Sequence, residues 1–141
     1  MKKIITLLFL INSSYALLAQ EVTIFDSNGE STAYIYTDEM TIYLWNGTPT
    51  SYLEPIGDNF NIYGYNGEHL GWLENGIIRN HEGLIVGFLK GSLNIQTKYE
   101  PFKPSKRSKP FKSPKKFAPY KPFSKNKFSS EPLSIFLMLG I

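Results

Sequence analysis

Two histidines are the first residues that could do chemistry. His69 and His81 stand twelve residues apart, and each has a glutamate beside it, Glu68 and Glu82. Imidazole and carboxylate are ligands that hold zinc, so a two-His, two-Glu metal site is conceivable. Both pairs fall at or next to turns, where polar residues are ordinary surface, and no metal ligand is expected. Other catalytic signatures are missing: the chain has no G-x-S-x-G elbow, no phosphate loop, no H-E-x-x-H pair and no calcium-loop pattern. Cys is absent, which removes thiolate ligands, disulfides and a Cys nucleophile. Asp26, Asp38 and Asp58 sit among turn residues, where Asp is commonplace. The expectation is a protein that is not an enzyme, with no catalytic residue and no cofactor.

A second group of residues points to binding. From Lys98 to Phe128, eleven Lys or Arg stand against one acid, Glu100, for a formal charge of +10. Lys103, Lys106, Arg107, Lys109, Lys112, Lys115, Lys116 and Lys121 are the candidate polyanion contacts. Six of the nine prolines lie here, interleaved with Phe102, Phe111, Phe117, Tyr120, Phe123 and Phe128, so regular structure is not expected. Cations draw in anionic surfaces, and rings insert at a membrane interface or stack on bases. The preceding stretch, Gln20 to Thr97, holds ten acids against Arg79 and Lys90, about −8 by formal count. Three readings of the tail stand open. It reaches out to lipopolysaccharide, anionic phospholipid or nucleic acid; it lies back on the acidic body with its rings over an aromatic face; or it is a solvated linker.

The elements that position these residues come from an internal repeat. Gly29, Gly47, Gly67 and Gly83 each follow Asn or Glu and mark four turns, and Asn-Gly favours a two-residue type I′ hairpin turn. Five residues before each glycine stands Ile24, Ile42, Ile62 or Ile78. Four residues after it stands Ala33, Ser51, Gly71 or Gly87, followed by Tyr34, Tyr52, Trp72 or Phe88 and by Ile35, Leu53, Leu73 or Leu89. Residues equidistant from such turns face each other, which pairs each isoleucine with a small residue and leaves a notch for a neighbouring isoleucine. One face of every hairpin is then aliphatic. The other carries an aromatic surface of Tyr34, Tyr43, Trp45, Tyr52, Tyr63 and Trp72, which either stacks on sugar or lipid or forms a second core layer. Pro49 and Pro55 read as strand-edge and linker residues. Single hairpins are marginal in water, so the fold class is all-β, four hairpin repeats with pseudo-fourfold symmetry in a shallow barrel or flower, followed by the basic Pro-rich tail.

The remaining segments set the address and the domain limits. Lys2 and Lys3, the apolar run Ile4 to Ile11 and small Ala16 and Ala19 have the layout of a secretory signal peptide. Residues 1–19 are therefore read as a signal peptide, 20–97 as the β domain, 98–128 as an irregular basic linker and 129–141 as an apolar end that docks on the domain as a strand or helical turn. Export to the periplasm, envelope or exterior follows, and it argues against nucleic acid as partner. The partners expected are an anionic membrane surface, lipopolysaccharide or an envelope protein, with the oligomeric state open.

The unit I-[FY]-x-x-N-G-x3-[small]-[aromatic]-[IL] spans Ile24 to Ile35, Ile42 to Leu53, Ile62 to Leu73 and Ile78 to Leu89. It resembles the 4-fold beta flower family. The last copy departs from it, with Arg79 for the aromatic and Glu82 for Asn. The resemblance implies petal-like hairpins around a shallow central barrel and supplies no catalytic residues.

Overall fold

The computed structural model describes residues 20–141; the segment read as a signal peptide lies outside the described residues. Eight strands follow in chain order: β1 (Glu21–Phe25), β2 (Ser31–Tyr36), β3 (Thr41–Leu44), β4 (Pro49–Ile56), β5 (Asn59–Gly64), β6 (His69–Glu74), β7 (Ile77–Arg79) and β8 (Ile85–Leu89). Each pairs antiparallel with the next, and β8 returns to β1 through Ile24↔Leu89 and Phe25↔Phe88, closing a barrel. Closure leaves no sheet edge. Pro49 opens β4, paired with Tyr43, and Pro55 lies within that strand, paired with Phe60, rather than in a linker.

The turns differ from the two-residue form that Asn-Gly suggests. Each repeat hairpin is closed by three residues. Asp26 N–H donates to Glu30 O, Leu44 to Thr48, Gly64 to Glu68 and Asn80 to Leu84, at 2.8–3.0 Å. Only the glycine has positive φ, from +77° to +94°; Asn28, Asn46 and Asn66 do not, and a type I′ turn needs both central residues there. Asn46 and Asn66 act through their side chains, Oδ1 accepting the N–H two residues on at 3.0 Å. Asn75-Gly76, between β6 and β7, is the pair with positive φ at both residues, +52° and +79°.

The expected register survives because a bulge follows each turn. The three-residue loop pairs Phe25 with Ser31, the next pair is Ile24↔Ala33, and Thr32 is the extra residue. The same shift gives Ile42↔Ser51, Ile62↔Gly71 and Ile78↔Gly87. The four isoleucines are fully buried and form the interior with Val22, Ile35, Leu53, Phe60, Leu73 and Leu89. An eight-stranded barrel is just wide enough for side chains to fill.

The chain end supplies the rest of that filling. Residues 133–138 form a short helix, α1 (Leu133–Met138), which buries Leu133, Phe136 and Leu137. A Cβ on Gly71 would meet the Phe136 ring at 3.1 Å, and one on Gly87 would meet Leu133 at 3.0 Å and Ile24 at 3.1 Å. The notches opposite the isoleucines thus admit the helix as well as a neighbouring isoleucine. Asn66 fastens the end, its N–H donating to Gly140 O (3.0 Å) and its Nδ2 to Leu139 O (2.9 Å).

Candidate interaction surface: the tail as a belt

Between β8 and α1 the chain follows the four turns in order. The N–H of Lys98 donates to Gly29 O (2.8 Å), Arg107 to Gly47 O (2.9 Å), Lys116 to Gly67 O (2.9 Å) and Lys125 to Gly83 O (3.0 Å). Nine residues separate each contact from the next. A Cβ on any of these glycines would overlap a tail carbonyl, that of Gln96, Ser105, Pro114 or Phe123 in turn. The turn glycines are therefore both the αL position of each loop and the seat of the belt. Gly67→Ala is expected to cost about 1–2 kcal/mol in backbone strain and to release the Lys116 amide. Thermal melting and hydrogen exchange check the two effects separately.

Aromatic side chains of the barrel's outer face hold the belt. Tyr63 Oη donates to Lys116 O (2.8 Å), and Trp45 Nε1 to Pro101 O (3.2 Å). Where the fourth repeat has Arg79 for Tyr, the guanidinium does the same work, donating to Lys125 O (2.6 Å) and Gly83 O (2.9 Å). Tyr34, Tyr43, Tyr52, Tyr63 and Trp72 are buried and Trp45 is half-buried. These rings are a second core layer beneath the tail, not an open stacking surface. Burial, with the charge of Glu21 second, pushes the Tyr34 hydroxyl up to about 12.

The lysines face inward. Lys103 lies 4.2 Å from the Tyr34 ring centroid, Lys106 4.4 Å from Tyr36 and Lys112 4.0 Å from Tyr52, favourable cation–π geometry. Lys103 and Lys106 share Glu21; Lys115 pairs with Glu54, Lys121 with Glu74, Lys116 with Glu68 (2.5 Å) and Lys109 with Glu39 (3.5 Å). Of the eight candidate polyanion contacts, Arg107 and Lys112 alone have no carboxylate partner among the described residues. Surface pairs contribute only about 0–1 kcal/mol each, so the belt is held by the sum of pairs, carbonyl bonds and ring contacts. Among the described residues thirteen Lys or Arg face twelve Asp or Glu, and the +10 tail is spent on its own body.

The rings of the tail, in contrast, point out. Tyr99, Phe102, Phe111, Phe117, Tyr120 and Phe123 are 88–100 % exposed, whereas the side chains of the paired lysines from Lys103 to Lys121 are 24–65 % exposed. The rings do not cover the barrel's aromatic face; the lysines do. A threefold period explains the sorting. Counting in threes from Tyr99 reaches every one of the six rings, with Ser105, Ser108 and Pro114 between them. Lys103, Lys106, Lys109, Lys112, Lys115 and Lys121 hold the next position, and Pro101, Pro104, Pro110, Pro119 and Pro122 the third. Three residues per turn is the repeat of a polyproline II ribbon, which keeps each class on its own edge. This triplet, and the nine-residue recurrence of Pro101-Phe102-Lys103, Pro110-Phe111-Lys112 and Pro119-Tyr120-Lys121, was the signal in the sequence that composition alone passed over.

His69 and His81 do come together. His69 Nε2 lies 3.0 Å from Asn61 Oδ1, and its Nδ1 lies 2.9 Å from His81 Nε2. Among the described residues no three His, Cys, Asp or Glu side chains converge to hold a metal. Burial, and secondarily the neighbouring His81, lowers the His69 pKa to about 4; burial also lowers that of His81. The unfolded chain therefore binds protons that the folded one refuses. Stability is full above about pH 6.5 and falls as pH drops from there to about 4, by up to roughly 3 kcal/mol from His69. Urea melts across that range check the loss, and His69→Gln should flatten it.

Sequential hairpins closed into a barrel and clasped turn by turn by their own C-terminal belt define a repeat-built β scaffold with an aromatic outer edge. The chain belongs to the 4-fold beta flower protein family, whose family model matches residues 22–137. Comparison with curated proteins and with solved structures gives no match.

Proposed function

We propose that this protein is a non-enzymatic, exported binding module that contacts an amphipathic lipid surface of the cell envelope through the outer edge of its tail. One observation carries the reading: six aromatic rings stand almost fully exposed on one edge of a backbone pinned to the barrel. Large exposed apolar rings mark interaction sites. Protein-binding hot spots cluster in one packed centre, whereas these rings are strung singly along a ribbon, about 9 Å per triplet, and a lipid interface takes up each ring separately. Arg107, which has no carboxylate partner among the described residues, adds a cation to the tail, and amphipathic aromatics favour the headgroup level.

Co-sedimentation with phosphatidylglycerol/phosphatidylcholine vesicles and with pure phosphatidylcholine vesicles, at low and high salt, tests it. The protein is expected to pellet with both, with modest preference for the anionic mixture and little release by salt, because most of its lysines are already paired. Substituting Phe102, Phe111, Phe117, Tyr120 and Phe123 by Ser should abolish pelleting. Equal binding by that variant, or no binding by the parent, would overturn the reading; self-association or capture by an envelope protein would then favour an assembly subunit.

A further inference from the structure

Outside the belt, the large apolar side chains left exposed gather on α1 and the residues just after it. Ile135, Met138, Leu139 and Ile141 are 46–52 % exposed, and Ile56 is the one exception among the described residues. No residue from Pro132 to Ile141 has a charged side chain. The inward face of α1 fills the barrel, so the helix is apolar all round, the pattern of an element with partners on every side. Among the described residues only the barrel supplies one.

Topology places this bare face inside the circle that the belt draws. In an up-and-down barrel the connections alternate between the two ends, so Gly29, Gly47, Gly67 and Gly83 share one end and Ile56, the last residue of β4, lies at the other. α1 belongs to the turn end. Its start shares a small cleft with Asn28 of the first turn. A Cβ on Gly140 would overlap the carbonyl of Thr50, just past the second turn. Asn66 of the third turn holds Leu139 and Gly140, and Phe136 faces Asn80 and Glu82 of the fourth across a larger cleft. The belt is pinned to the same four turns. One end of the molecule therefore carries an apolar hub within a ring of exposed aromatics, whereas the connections at the other end carry Asp38, Glu39, Asp58 and Lys90.

Size and charge decide what covers the hub. Four half-exposed aliphatic side chains offer on the order of 400 Å², about half of what each partner in a stable protein pair buries. A second copy set face to face would also bring both copies of Glu82 and Glu131 to one contact, and neither has a cationic partner among the described residues. A lipid surface sets no minimum area, and the belt rings already surround the hub. Glu30 and Glu68, on the turns, are paired with Lys98 and Lys116 of the belt, which lowers the cost of bringing them to an interface. Glu82 and Glu131 keep their charge and hold the face at headgroup depth.

We infer that the outer face of α1 is a second lipid contact. Ile135, Met138, Leu139 and Ile141 enter the bilayer interface with the belt rings, so that the barrel stands with its turn end on the membrane and its Ile56 end in water. This rests on the lipid-facing role proposed for the belt and adds to it a second contact and an orientation.

Because the chain has no cysteine, single labels report cleanly. Met138→Cys and Ile56→Cys variants of residues 20–141, each carrying a nitrobenzoxadiazole label, are mixed with phosphatidylcholine vesicles. The label at position 138 is expected to shift to the blue and to lose most of its quenching by iodide, while the label at position 56 keeps its emission and quenching in water. Ile135→Ser/Met138→Ser alters only outward side chains; it should melt within a few degrees of the parent and bind vesicles roughly tenfold more weakly. Vesicle binding with position 138 as open to iodide as position 56, or undiminished binding by the double variant, would overturn the inference and leave the belt as the lipid contact. No vesicle binding by the parent would overturn both.

Discussion

Phe136→Ala is expected to cost about 3–5 kcal/mol, the range for deleting a buried aromatic and leaving a cavity. The ring is 1 % exposed and belongs to the same cluster as the barrel isoleucines. It packs against Gly71, the residue opposite Ile62, where a Cβ would overlap the Arg79 carbonyl and come within 3.1 Å of the ring. The barrel wall cannot collapse into the gap, since its strands are tied on both sides by ladder bonds. A domain of this size has only about 5–15 kcal/mol in total, so the variant would be marginal. Urea denaturation measures the loss. A cost below about 1 kcal/mol would mean that α1 rests on the barrel without filling it.

Arg79→Leu should be comparably damaging, by about 3–5 kcal/mol, because it removes two charge-assisted hydrogen bonds worth about 1.5–3 kcal/mol each. Arg79 is 6 % exposed, its Nε lies 3.3 Å from Glu74 Oε1, and its Nη1 holds two carbonyls, one in the barrel turn and one in the belt. Losing the guanidinium leaves Glu74 with Lys121 and Ser124 as its partners and strands the carbonyl of Lys125, while Gly83 O keeps the Lys125 amide as its donor. The last stretch of the belt, which continues into a parallel bridge between Phe128 and Ile85, should fray with it. Denaturant melts give the magnitude, and faster exchange at the Lys125 amide gives the place. Arg79→Leu/Glu74→Leu is expected to recover little of the loss, since Glu74 keeps Lys121 and Ser124 in the single variant.

These two residues show what the sequence makes legible and what it does not. The Ile-to-small pairing in four copies discloses the register, because side chains alternate with a period of two and a slip by one residue would turn every isoleucine outward. The turn type was not legible. A three-residue loop with a two-on-one bulge consumes the same residues as a two-residue loop without one, so both forms predict Ile24↔Ala33. Arg79 reads as a departure from the repeat, yet its fork reaches the same belt position that Tyr63 Oη reaches from the third hairpin. The opposite charges of body and tail are plain in the composition, but charge alone leaves open whether the arm folds back. The period that decides it is three, which neither the helical nor the strand template detects, and it carries no burial contrast until the ribbon has a barrel to lie on. The His69–His81 contact was illegible for a different reason: it lies across the β6–β7 pair joined at Asn75-Gly76, a connection between repeats that aligning the four turn glycines does not reveal.

The claim on which the account rests is that the tail is a belt pinned at nine-residue intervals, with its lysines inward and its rings outward. Residue-resolved hydrogen exchange of residues 20–141 tests it most directly. The account predicts slowed exchange at the amides of Lys98, Arg107, Lys116 and Lys125, and at Ser113, which donates to Tyr65 O at 2.8 Å. The exposed amides between them, such as those of Phe102, Phe111 and Phe117, should exchange at near the rate of an open chain. Uniformly fast exchange from 98 to 127, with the barrel amides still protected, would contradict it and return the tail to a solvated arm.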